Sequence, residues 1–102
     1  MIRYLDEPPW SLGGRRLVFT NHARKRMVER GISEEDVRRA LSEPVQILYD
    51  RRKDVYLVLG SNNVAVVVAD RVTFVEVVTV LRRKEYEALT GRLGRKRYRW
   101  VM

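Results

Sequence analysis

His22 is the only histidine in a 102-residue chain of formal net charge +8. Residues i, i+4 and i+8 lie on roughly one face of an α-helix, so His22, Arg26 and Arg30 stack along the segment around them. A neutral imidazole beside fixed cations suits a phosphodiester: the ring can accept a proton while the guanidiniums hold the anion. The same three residues also describe a solvated helix face with a packing histidine near its start.

Local signals set the helix that would present them. Thr20 is placed as an N-cap and Gly31 as a left-handed C-terminal residue, which predicts a helix from about Thr20 to Arg30. Ser33-Glu34-Glu35-Asp36 reads as a capping box, with Ile32 and Val37 as its hydrophobic staple. The second helix then runs to about Ser42, burying Val37, Ala40 and Leu41 before Pro44 stops it.

Beyond Pro44 the period changes. Val45 to Asp50, Val55 to Leu59, Val64 to Ala69 and Thr73 to Leu81 are rich in β-branched and aromatic residues and are separated by turn residues. They predict a four-stranded antiparallel meander carrying the two N-terminal helices, an α+β fold. Strict alternation in the last strand places Thr73, Val75, Val77, Thr79 and Leu81 on one face and Phe74, Glu76, Val78 and Val80 on the other. Both faces are largely apolar, so the face away from the helices needs either the C-terminal segment or a second copy of the chain, a homodimer. Arg82 to Thr90 reads as a short C-terminal helix. The expected organisation is an irregular arm over residues 1–16, one domain over 17–90 and a basic aromatic tail over 91–102.

Composition narrows the function classes. The chain has no cysteine and one histidine, which predicts no metal site, and Gly13-Gly14 lacks the spacing of a phosphate loop, which predicts no nucleotide cofactor. No apolar run reaches membrane-span length and no signal pattern opens the chain, so a cytoplasmic protein without membrane contact is expected. Of the 21 basic residues 17 are arginine, a bias that suits bidentate phosphate contacts and also a thermophilic source.

The charge is unevenly placed: Arg82 to Met102 carries +6 of the +8. Arg92, Arg95, Lys96, Arg97 and Arg99 alternate there with Tyr98 and Trp100, combining phosphate neutralisation with surfaces for base stacking. With Arg30, Arg83 and Lys84 they are the candidate nucleic-acid contacts.

Phe19-Thr20, His22-Ala23, Arg26-Met27 and Glu29-Arg30-Gly31-Ile32-Ser33, followed by strands ending in Val77 to Val80, resemble a prokaryotic family, domain of unknown function 4258. The resemblance spans roughly Leu17 to Leu81. That family looks related to RelE/ParE toxin-like proteins and, more distantly, to metal-independent ribonucleases of the barnase, EndoU and colicin type. The resemblance implies a RelE-like fold and an active surface joining a helix histidine, basic residues and a strand-end hydroxyl: His22, Arg26 and Thr79, with Arg82 as a further cation.

Three functions follow as expectations. In a metal-independent endoribonuclease His22 would take the ribose 2′-proton, Arg26 and Arg82 would stabilise the phosphorane charge, and Thr79 would orient a phosphate oxygen. Its leaving-group acid would have to be Tyr56, Tyr86, Tyr98 or a water. A non-catalytic RNA-binding protein, on the ribosome or elsewhere, would use the basic tail as its anchor. A toxin-like module would instead be neutralised by an antitoxin protein.

Overall fold

A computed structural model describes residues 15–93 and 97–102. The arm residues up to 14 and the tail residues Arg95 and Lys96 lie outside the described residues. Helix α1 spans Asn21–Arg30, with Thr20 as N-cap and Gly31 closing it at φ 64°. Helix α2 spans Glu34–Ser42 behind a complete Ser33/Asp36 capping box and buries Val37, Ala40 and Leu41. These are local signals, and they form where the residue types place them.

The sheet corrects the sequence expectation. Instead of a four-stranded antiparallel meander, a mixed six-stranded sheet forms in the order β1-β5-β4-β3-β2-β6. Its strands are β1 (Leu17–Phe19), β2 (Pro44–Asp50), β3 (Val55–Gly60), β4 (Val64–Asp70), β5 (Val75–Arg82) and β6 (Tyr98–Trp100). Strand β1 lies parallel to β5, and β6 pairs antiparallel with β2. Each edge strand has three residues, too few to show a period of two, and each forms because the neighbouring strand has backbone groups to pair. A third helix, α3 (Arg83–Leu93), follows β5, so the region expected as a tail begins helical and ends as a strand.

The two faces of the sheet have separate cores. Ala23, Met27, Val37 and Ala40 of α1 and α2 pack with Ile47, Val58, Val66, Val77 and Val80 on one face. On the other, Tyr86 and Leu89 of α3 and Tyr98 of β6 pack with Leu48, Leu57, Leu59 and Val67. The second face is thus buried within the chain, and it does not require a second copy to cover it. Among the described residues no helix is long and apolar enough to cross a membrane.

Strand β5 does not alternate strictly. Val67 pairs with Thr79 while Val68 pairs with Val77, leaving Val78 as the extra residue of a β-bulge. The bulge shifts the phase, so Val80 faces α1 and α2 together with Val77, while Val78 and Leu81 face α3. Thr79, opposite Val67, therefore falls on the α3 face, which corrects the alternation read from the sequence.

Helix α1 is tied to this bulge. The Thr20 hydroxyl donates to the Val78 carbonyl at 2.9 Å and accepts from the Ala23 N–H at 3.0 Å, and the Thr20 N–H donates to the Val77 carbonyl at 3.1 Å. Thr20→Val removes both side-chain bonds and should lower stability by about 1–2 kcal/mol. Urea unfolding checks this, and an unchanged midpoint would show that neither bond holds the helix.

Candidate functional site

On α1 the expected stack is present, but its members have different environments. His22 is exposed in the first turn and Arg26 is half-buried in the next. Arg30 is engaged: its Nε donates to Glu85 Oε1 at 3.0 Å and its Nη2 donates to Oε2 of the same carboxylate. Glu85 Oε1 also accepts the Arg82 N–H at 3.0 Å at the start of α3. The bonds from Arg30 and Arg82 hold the Glu85 carboxyl down at about 2 from its ordinary 4.5, with charge from Arg30 and Arg26 adding to the effect.

Arg82 has a defined partner as well. Its Nη2 donates to the Arg30 carbonyl at 2.7 Å and the Gly31 carbonyl at 3.2 Å, capping the negative end of α1. Thr79 lies on the opposite face of the sheet from α1, with its hydroxyl buried and without a hydrogen-bond partner among the described residues. The four residues expected to form a catalytic group are therefore divided: His22 and Arg26 share one flank of α1, Arg82 caps that helix, and Thr79 faces away.

The C-terminal residues are brought together more closely. Arg97 is held by Asp50, its Nε 3.0 and 3.1 Å from the two carboxylate oxygens and its Nη2 3.0 Å from Oδ2. Asp50 is only 3% exposed. Burial alone would raise its pKa, but the bonds from Arg97 and from the Lys53 and Arg52 N–H groups outweigh it and hold the carboxyl below its usual range.

This pair fixes the position of β6. Tyr98 turns into the core at 7% exposure, which removes it from stacking on a base, while Trp100 remains 67% exposed. Arg99 points outward with its guanidinium 5.4 Å from the centre of the Tyr49 ring.

Between β6 and α3 runs an open groove of about 920 Å³. Its floor is Gln46, Leu48 and Leu59; Tyr86 and Thr90 stand on the helix side and Trp100 on the strand side. Arg51 and Arg83 also line it, against a single acid, Glu87, as does Arg99, whose guanidinium lies over Tyr49 on the other face of the sheet. Arg83 bonds Glu87 at 3.0 Å and Asn63 at 3.1 Å, so it is a wall residue with set partners. Lys84 and Arg92 are exposed on α3.

Burial pushes the Tyr86 phenol up to about 12, and its O–H donates to Gln46 Oε1. Of the tyrosines considered as acids, Tyr86 and Tyr98 are buried and Tyr56 packs against the α1/α2 core. Gln46 and Arg51 were not among the residues expected to bind. Gln46 had a readable signal, since it is a polar residue two positions from Leu48 and hence on the same strand face; Arg51 had none. Among the described residues no group of three His, Cys, Asp or Glu side chains is placed to hold a metal ion.

Residues 19–82 match the family described as Domain of unknown function (DUF4258). The chain belongs to that family. No curated protein and no solved structure matches it. The DUF4258 segment contains α1, α2 and β2 to β5, while α3 and β6 lie beyond it. The groove thus joins a floor from the DUF4258 segment to walls from outside it.

Two predictions test these contacts. Asp50→Ala leaves Arg97 without its partner and should cost about 3 kcal/mol or more, with faster hydrogen exchange at the β6 amides and Val101 than elsewhere in the sheet. Uniform exchange across the sheet would contradict it. The Glu85 pair makes its contribution above the ordinary carboxylate pKa and loses it as pH falls toward about 2, through the depressed folded value. The Arg30 and Glu85 side chains are 23% and 36% exposed, so Glu85→Gln should cost under about 1 kcal/mol at pH 7 and converge with wild type near pH 2. Urea midpoints across pH check this, and a constant difference would oppose it.

Proposed function

We propose that the protein binds RNA, as a single strand, through the groove between α3 and β6. The observation that carries this reading is the C-terminal strand itself, where Trp100 is two-thirds exposed above a groove also lined by Arg51. An exposed indole offers a face to any base, and the Arg51 guanidinium offers charge to a phosphate. The groove has the volume of a small-ligand cleft; it admits a nucleotide of a single strand and is too small for a duplex. The net charge of +8 favours a polyanion as partner.

A second reading is supported by His22 and Arg26. They stand on one flank of α1 with the imidazole exposed, the arrangement of a metal-independent endoribonuclease whose base is His22. It has neither Thr79 on the same face nor Arg82 free of its capping bonds, so binding without cleavage is the better supported function.

Filter binding of labelled single-stranded RNA over a range of salt tests the proposal. With about two phosphate contacts, log K should fall against log salt with a slope near −1.4, and Arg51→Ala should reduce its magnitude by about 0.7. Trp100→Ala should weaken binding about tenfold at every salt concentration. Wild type and His22→Ala are then incubated with total RNA in EDTA, with and without ribosomes. Binding by both without cleavage is expected; cleavage lost in His22→Ala, leaving 2′,3′-cyclic phosphate ends, would establish the second reading instead.

A further inference from the structure

Strand β6 is the open edge of the sheet. The Arg51 N–H donates to the Arg97 carbonyl, Arg99 pairs with Tyr49, and the Val101 N–H donates to the Ile47 carbonyl. The backbone groups of Arg97, Arg99 and Val101 therefore face β2. In an antiparallel ladder the alternate residues turn the other way, so the N–H groups of Tyr98 and Trp100 face outward, about 7 Å apart. No further strand pairs with them among the described residues.

The side chains alternate along the same residues. Trp100 stands over the groove on the α3 face at 67% exposure. Arg99 lies on the opposite face, its guanidinium 5.4 Å from the centre of the Tyr49 ring. That ring is fixed in turn, because its hydroxyl donates to Asp54 and Tyr56 packs 5.1 Å away. Arg99 is exposed, and no acidic side chain pairs with it among the described residues. The edge thus carries an aromatic ring on one face, two outward amides along its rim and an unneutralised, positioned cation on the other face.

Resting on the single-strand reading above, we infer that the bound strand leaves the groove over the edge of β6. The base nearest the edge stacks on Trp100, the outward N–H groups of Tyr98 and Trp100 donate to phosphate oxygens as the backbone crosses, and the Arg99 guanidinium takes a phosphate on the far face. These contacts carry no base information, so the crossing is independent of sequence. A strand too short to reach from Trp100 to Arg99 occupies the groove alone. A second copy pairing at the same edge would instead bring two chains of net charge +8 together, with arginine set against arginine.

A uridine dinucleotide and a uridine octanucleotide separate the groove from the edge. A Trp10→Phe background leaves Trp100 as the sole tryptophan of the two in the chain, and quenching of its fluorescence reports occupancy of the groove by either probe. For the octanucleotide, Arg99→Ala should reduce the magnitude of the salt slope by about 0.7, whereas Arg99→Lys, which keeps the charge, should preserve it. Neither substitution should alter binding of the dinucleotide. The Tyr98 and Trp100 amides should gain protection from hydrogen exchange with the octanucleotide only.

An octanucleotide slope unchanged in Arg99→Ala, with quenching intact, would overturn the crossing and leave groove binding in place. Equal weakening of both probes in Arg99→Ala would make Arg99 a support of β6 and overturn the crossing as well. Octanucleotide binding without quenching of Trp100, or no binding at all, would overturn the reading on which the inference rests.

Discussion

A buried ion pair holds the C-terminal segment in place. Asp50 ends β2 almost wholly shielded from water, and leaving a lone carboxylate there would be costly. Arg97 answers it with both sides of its guanidinium fork, and the Arg52 and Lys53 N–H groups complete the shell. The following residues then pair with β2 in a fixed register, opposite Asp50, Tyr49 and Leu48. Alternation along β6 puts Tyr98 and Trp100 on the α3 face and Arg99 over Tyr49 on the other; Tyr98 lies in the core, and Trp100, at the end of the strand, stays exposed. One electrostatic constraint thereby decides which parts of a basic, aromatic sequence are structural and which are available to a ligand.

The opposite face is organised by the β5 bulge. Its extra residue exposes a carbonyl to Thr20, whose single hydroxyl connects the strand to the first turn of α1. At the other end of α1 the Arg82 guanidinium caps the helix carbonyls and Glu85 holds Arg30. The cations that sequence spacing places near His22 thus act in part as braces.

The extent to which this could be read from the sequence follows the range of each interaction. Thr20, Gly31, Ser33 and Asp36 act within a few residues, so α1 and α2 were readable. An extended segment before α1 is readable, but the places of β1 and β6 in the sheet are not, because three residues carry no period and their pairing depends on strands distant in the chain. The bulge is set by the pairing of β4 with β5, so counting along β5 alone puts Thr79 on the wrong face. Likewise Tyr98 and Trp100 are equivalent in a basic aromatic run until β2 gives them a register. The charge concentrated after Arg82 was visible from composition, whereas the groove it borders required the fold.

The central claim is that the ligand-facing surface lies between α3 and β6 rather than along α1. A titration of the ¹⁵N-labelled protein with a short single-stranded RNA, followed by amide and indole resonances, tests it most directly. The largest shifts should fall on the Trp100 indole, the β6 amides and the Thr90–Gly91 turn of α3, with His22 and Arg26 little changed. Shifts concentrated at His22 and Arg26, with the Trp100 indole silent, would contradict the claim and place the functional surface on α1.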